Sequence, residues 1–198
     1  MTLFKIFLSA FLIDNVVLMR FLALCPFIGM STDEDKSIGM GLAVTFVTVL
    51  ATCVTWPIYR FILQPLGLQF LHLLVFILVI ASLVQLVEFY LKKSAPALYG
   101  SMGIYLALIT TNCAILAVTL DVINNTCPFT GKPYSFIESV VYALGVALGF
   151  LLSLLLLAGV RRRIKTSPIP AFLKGTPILF VAAALLSMAF MGFKGLVK

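Results

Sequence analysis

Apolar residues run along this chain in long stretches, and nearly all the charge is gathered in the short polar segments between them. A helix needs about 20 largely apolar residues to cross the hydrocarbon core of a bilayer. Six stretches meet that length, at residues 3–24, 38–59, 70–91, 99–120, 136–159 and 171–193. The pattern predicts an all-α integral membrane protein with six transmembrane helices. Short connections leave room for a single membrane domain over residues 1–198 and for no separate soluble one. A cleavable signal has an apolar part of about 7–15 residues. The first stretch runs longer and carries Asp14 and Arg20, so it is expected to remain as a span.

Two spans are irregular. In the first, the polar pair Asp14-Asn15 lies mid-stretch, and Cys25-Pro26 closes it ahead of Phe27-Ile28-Gly29. Proline disfavours helical backbone at the residue before it. In the fourth, Thr110-Thr111-Asn112-Cys113 interrupts apolar sequence near the middle. Non-helical backbone survives at membrane depth only where protein or a water-lined cavity satisfies it, so both spans are expected to be broken into half-helices. Each opens a group of three spans. Three crossings per group would make the halves, about 1–95 and 96–198, inverted repeats. Carriers built this way place their functional site at the repeat interface, on the broken helices.

Spans two and five add a second correspondence. Gly39-Met40-Gly41-Leu42-Ala43-Val44-Thr45 parallels Ala143-Leu144-Gly145-Val146-Ala147-Leu148-Gly149 in its small residues. The spacings Gly41 to Thr45 and Gly145 to Gly149 suit close helix approach, and packing alone is sufficient reason for them. A competing echo joins residues 94–100 to 167–175, both Ser- and Pro-containing. It follows spans three and five and reads as two similar helix-entry turns.

Composition removes other classes. The chain is 62% hydrophobic and 11% charged, with mean hydropathy +1.17, far from the balance of a soluble domain. Its net charge of +7 does not imply a nucleic-acid partner, because Lys and Arg at span ends report orientation in the membrane. The side that includes Lys5 carries five of them. The other side carries eight, among them Arg161, Arg162, Arg163 and Lys165. Segment 161–165 is therefore expected to be a cytoplasmic loop, with both termini outside.

Four cysteines are present, Cys25, Cys53, Cys113 and Cys127, without a C-x-x-C pair. A redox disulfide or zinc ribbon therefore lacks its usual signature. Cys25 and Cys113 fall at the two expected breaks, one in each half. A thiolate beside a half-helix amino terminus gains from the dipole and the free N–H groups there. Two such residues amount to half of the four-cysteine ligand set of an iron–sulfur cluster, and a second, similar chain would supply the rest. The alternative is that each is a small buried apolar residue, which is the reading for Cys53. Cys127 lies in a polar segment, 124–131, and reads as part of a turn. Charged groups within spans are costly and suggest function. Asp14 and Arg20 qualify, whereas Glu88 and Glu138 lie nearer span ends. Six positions separate Asp14 from Arg20, about 240° round a regular helix, so the two would not pair on one. Arg20 either offsets the negative charge of a nearby cluster, snorkels or meets another subunit. His72 carries no ligand pattern. With inert cysteines the chain would instead be an ion transporter or channel using Asp14 and Glu88. A membrane thiol oxidase would need the absent cysteine pairs.

The segments Phe21-Leu22-Ala23-Leu24-Cys25-Pro26-Phe27-Ile28-Gly29, Gly39-Met40-Gly41-Leu42-Ala43-Val44-Thr45-Phe46, Pro96-Ala97-Leu98-Tyr99 and Ile109-Thr110-Thr111-Asn112-Cys113-Ala114 resemble the family of A-type subunits of Rnf complexes. Glu138-Ser139-Val140-Val141-Tyr142 and Ser187-Met188-Ala189-Phe190-Met191-Gly192-Phe193 extend the resemblance over nearly the whole chain. The D-type and E-type subunits of the sodium-pumping NADH:quinone reductase belong to the same wider family and are the nearer alternative. The resemblance implies a membrane electron-carrier subunit, not an autonomous enzyme, in a complex of the bacterial inner membrane. That complex passes electrons between ferredoxin and NAD and moves sodium ions or protons. It also implies one intramembrane [2Fe-2S] cluster shared with an oppositely oriented homologue, the E-type Rnf subunit, each contributing two cysteines. The matching positions are Cys25 and Cys113, while flavin and NAD would sit on other Rnf subunits. One departure is the segment 121–135, longer than the family pattern and containing Cys127.

Overall fold

A computed structural model describes residues 2–13, 15–31, 34–67, 69–94, 108–109, 111–124, 133–166 and 175–192. Asp14, Cys127 and most of the two entry turns lie outside the described residues. Every regular element among the described residues is helical. Helix α1, Thr2–Leu8, continues as a π-helical turn, Ser9–Ile13, and is followed by α2, Val16–Arg20, and α3, Leu24–Met30. Next come α4, Glu34–Ile58, with a π-helical extension Tyr59–Leu63, the single turn α5, Gln64–Leu66, and α6, His72–Ser94. The remainder are α7, Cys113–Asn124, α8, Phe136–Lys165, and α9, Thr176–Met191.

Among the described residues three helical segments are long and apolar enough to cross a bilayer, Ser37–Leu63, His72–Phe89 and Phe136–Lys165. Shorter apolar helices, Leu3–Leu12, Cys113–Asn124 and Thr176–Met191, occupy the other three predicted stretches. Large apolar side chains face outward along α6 and near its start, with Phe70 94% and Phe89 75% exposed. Such surface is out of place in water and suits lipid.

Helices α4 and α8 form the central pair. Gly41 of α4 lies against Leu151 of α8. Fifteen residues later on α4, Trp56 donates from Nε1 to the Tyr134 carbonyl at 3.2 Å and sets its ring edge on Phe136, just before and at the start of α8. The two helices therefore run antiparallel. Polar side chains do not disturb this pair: the hydroxyls of Thr45, Thr48, Thr52 and Thr55 each bond the carbonyl four residues back on α4.

The other face of α8 receives the first span. A Cβ on Gly145 would stand 2.8 Å from Ala10 Cβ and 3.0 Å from the Phe7 carbonyl, and one on Gly149 would stand 2.9 Å from the Phe11 carbonyl. The small-residue spacing of span five thus serves helix packing. Farther along, Asn15 meets Gly149 and Ser153, and Arg161 meets Ile28. Contacts advance in step along both chains, so the first span and α8 run parallel. Fully buried Phe27, Phe150, Leu154 and Leu157 fill the space between them and α4.

Two expectations need correction. Segment 161–165 is the last part of α8, not a loop. Arg and Lys are good helix formers, and their charge is favourable at a helix carboxyl end. Cys25-Pro26 does not close the first span either: both residues lie in the first turn of α3, and the break falls at 21–23. Proline is tolerated there because the first-turn N–H groups have no intrahelical acceptor.

Candidate functional site

The first break is built from a cap and two strained residues. Asn15 is fully buried, and its Oδ1 accepts from the backbone N–H groups of Val17 and Leu18 at 3.2 and 3.4 Å, starting α2. Its Nδ2 donates to the Gly149 carbonyl at 2.9 Å and to Ser153 Oγ at 2.7 Å, pinning that start to α8. At the far end of α2, Ser187 of α9 donates from Oγ to the Leu18 carbonyl at 2.5 Å. Phe21 and Ala23 then adopt left-handed backbone, with φ of 53° and 59°. That region costs an L-residue roughly 1–2 kcal/mol, and such strain gathers at functional sites. Ala23 leads directly into α3, which presents Cys25 as its second residue, free and exposed.

The second break repeats this logic in shorter form. The Asn112 N–H closes a turn on the Ile109 carbonyl at 3.2 Å, and Asn112 Oδ1 accepts from the Ala114 N–H at 3.0 Å. Cys113 is the first residue of α7, free and exposed, its thiol donating weakly to the Thr111 carbonyl at 3.9 Å. Asn112 is only 5% exposed, and among the described residues its Nδ2 has no hydrogen-bond partner. A buried amide N–H left unpaired costs about 1–3 kcal/mol, so this atom is a donor awaiting an acceptor.

An ion pair joins the two broken spans. Arg20, the last residue of α2, meets Asp121 of α7 at 2.6 Å, with the aspartate side chain 14% exposed. The sequence allows Arg20 three roles and gives no sign of this partner. Other candidates are accounted for locally. Glu138 closes a capping box on Ser135, bonding its N–H at 3.0 Å. His72 sets its ring edge on Phe76. Cys53 is half-buried on α4, and Glu88 lies on α6.

Among the described residues no group of three or more His, Cys, Asp or Glu stands ready to hold a metal ion. Cys25 and Cys113 would make two ligands of a four-thiolate centre only with two more thiolates from outside the chain. Both thiols are free and exposed, both stand in a first helical turn whose N–H groups favour negative charge, and the unpaired Asn112 amide is adjacent to one of them. Two further residues escape a reading of the sequence: Arg161 and Ser31, which together hold the end of α3. Nothing in the sequence marks Arg161 off from its basic neighbours.

Comparison with known proteins shows the family. Residues 3–197 match the family described as "Rnf-Nqr subunit, membrane protein". The chain is 48% identical to the A-type subunit of the Na(+)-translocating ferredoxin:NAD(+) oxidoreductase complex of Acetobacterium woodii, over 99% of this chain and 98% of that protein. It is 50% identical to the A-type subunit of the ion-translocating oxidoreductase complex of Syntrophotalea carbinolica, over 98% of this chain and 97% of that one. The corresponding protein of an Azoarcus species is 51% identical, over 96% and 94% of the two chains. The chain therefore belongs to the Rnf-Nqr family of membrane-protein subunits.

Proposed function

We propose that the chain is the electron-carrying membrane subunit of an ion-translocating ferredoxin:NAD oxidoreductase complex. In this reading Cys25 and Cys113 hold one side of an intramembrane [2Fe-2S] cluster. The names of its close relatives support the complex. The observation that carries the cysteine assignment is the matched exposure of two free thiols, each in the first turn of a helix that begins at a break. The remaining pair of thiolates would come from a homologous, inverted partner, the E-type Rnf subunit. Other Rnf subunits would carry flavin and NAD, the surrounding partner would be lipid, and no nucleic acid is involved.

The six-span inverted repeat belongs to the same proposal, and the helix packing supports it. Under the exchange of spans one with four, two with five and three with six, the main packed pairs map onto one another. Packing of the first span on α8 is matched by α7 on α4, and packing of α9 on α2 by α6 on α7. The central α4–α8 pair and the α2–α7 pair map onto themselves. In such an arrangement spans one and four run antiparallel, and the Arg20–Asp121 pair fixes their register. Cys25 lies five residues beyond Arg20, and Cys113 lies eight before Asp121, about 12 Å along a helix. Both would then lie on the same side of that ion pair along the membrane normal.

A bound cluster would supply one-electron transfer. The chain's own residues do the positioning: Asn15 and Ser187 fix α2, the left-handed pair at Phe21 and Ala23 separates α2 from α3, and Asn112 offers an N–H beside Cys113. Exposed Arg162, Arg163 and Lys165 at the end of α8 support a cytoplasmic location for that end. Since the first span runs parallel to α8, its start would lie outside, in a bacterial inner membrane.

Thiol reactivity tests the assignment. In the assembled complex Cys25 and Cys113 should resist maleimide, and both should become reactive when iron is removed oxidatively without dissociating the subunits. Reaction of both thiols at the same rate before and after iron removal would overturn it.

A further inference from the structure

Four cations crowd the last turns of α8, and three of them, Arg162, Arg163 and Lys165, are exposed. Arg161 alone turns inward. Its Nη1 donates to the Ile28 carbonyl at 3.0 Å and to Ser31 Oγ at 3.1 Å. Ser31 is fully buried and donates from Oγ to the same Ile28 carbonyl at 3.1 Å. The last carbonyls of any helix lack intrahelical donors, and α3 is only seven residues long. Its carboxyl end is thus closed by a guanidinium from a distant helix, with the charge sign the helix dipole favours there.

The other end of α3 carries Cys25. Ile28 lies three residues beyond it, about 4.5 Å along the helix axis. Ala23, which precedes the helix, provides no side-chain cap. Beyond its covalent neighbours α3 packs mainly on α4 and α8, so the Arg161 clasp is a principal tie between the cysteine-bearing turn and the rest of the bundle.

We infer that Arg161 is the positioning residue for Cys25: it fixes the height and tilt of α3 and holds one positive charge at the opposite end of that short helix from the thiol. This rests on the cluster reading for its redox consequence and on the α3 geometry alone for its mechanical one. A fixed cation close to an electron-accepting centre in a low-dielectric surround favours the reduced form. Arg161→Gln removes the charge and the forked donor. Arg161→Lys keeps the charge but loses the planar fork that reaches two acceptors. Arg163→Gln removes an equal charge from the same basic cluster without touching α3, and so controls for membrane orientation.

The test uses the whole complex in its membrane, with two readouts on the same preparations. In redox titration followed by electron paramagnetic resonance, Arg161→Gln should shift the cluster's midpoint to more negative potential. The expected shift is about ten-fold in the reduced-to-oxidised ratio at fixed poise, or about 59 mV for a one-electron couple. Arg161→Lys should hold the midpoint but broaden the signal, and Arg163→Gln should match wild type. Alkylation of Cys25, followed by mass spectrometry after iron removal, should be several-fold faster in Arg161→Gln than in Arg163→Gln. A cluster signal with the same midpoint in Arg161→Gln and Arg163→Gln overturns the electrostatic role. Equal alkylation rates overturn the positioning role. If wild type gives no signal dependent on Cys25, the cluster reading fails, and the alkylation rates still decide whether Arg161 positions the turn.

Discussion

Replacing Asn15 tests how the first break is held. Its side chain makes four hydrogen bonds, two that start α2 and two that reach α8, in a fully buried position. Loss of an asparagine cap costs about 1 kcal/mol. Interhelical side-chain bonds in membrane bundles average about 0.6 kcal/mol each. The Gly149 carbonyl keeps the Ser153 hydroxyl as a donor at 2.9 Å when Asn15 is removed, so no large orphan penalty is added on α8. Asn15→Ala should therefore destabilise the chain by about 2 kcal/mol from these two terms together. Asn15→Asp keeps the cap oxygen but sets a carboxylate against the Gly149 carbonyl in a dry site, and should be worse than alanine. For a chain of this length 1 kcal/mol corresponds to about 2–4 °C. The thermal midpoint of the purified complex should fall by about 4–8 °C for alanine and by more for aspartate. Ser153→Ala, which removes one acceptor of Asn15 and the hydroxyl's own bond to the Gly149 carbonyl, should cost less than either, because that carbonyl keeps the Asn15 amide. If the alanine and aspartate variants both melt with wild type, the buried asparagine does not hold the two helices together.

Other outcomes follow from the same contacts. Gly149→Ala should destabilise by about 1–3 kcal/mol, because its methyl meets the backbone carbonyl of Phe11. Gly41→Ala should cost less, since the Leu151 side-chain tip it meets can rotate away; thermal midpoints of the two variants rank them. Arg20→Gln and Asp121→Asn should have coupled, non-additive effects on the stability of the complex, because both remove the same contact between α2 and α7. A double-mutant cycle showing independent effects would contradict that pairing. Ala23→Gly should keep the complex assembled and raise its thermal midpoint slightly, as glycine adopts the left-handed backbone without penalty.

Much of this architecture is legible in the sequence because membrane crossing imposes a length and a composition. The predicted stretches at 38–59, 70–91 and 136–159 coincide with α4, α6 and α8 closely, since each is apolar for its full length. Both breaks are also readable. Asn15 and Asn112 are polar residues in apolar runs, and each caps the helix that follows it. The seat of the first break is not, because Phe21 and Ala23 have no sequence signature for left-handed backbone, whereas proline draws the eye to Cys25-Pro26. Pairings between distant residues are hidden for a different reason. Arg161 and Arg163 are identical as letters, and only the direction each takes from α8 decides which one meets α3. Arg20 finds Asp121 across one hundred and one positions of sequence, a separation that no local pattern encodes.

The central claim is that Cys25 and Cys113 act together as ligands of one cluster. Its most direct test is electron paramagnetic resonance and iron content of the complex purified with Cys25→Ala or Cys113→Ala, beside wild type. The same [2Fe-2S] signal should vanish in both variants, with the same loss of iron, while other iron signals and subunit composition stay unchanged. Full assembly with every iron signal intact in both variants would make the two exposed cysteines bystanders and contradict the account.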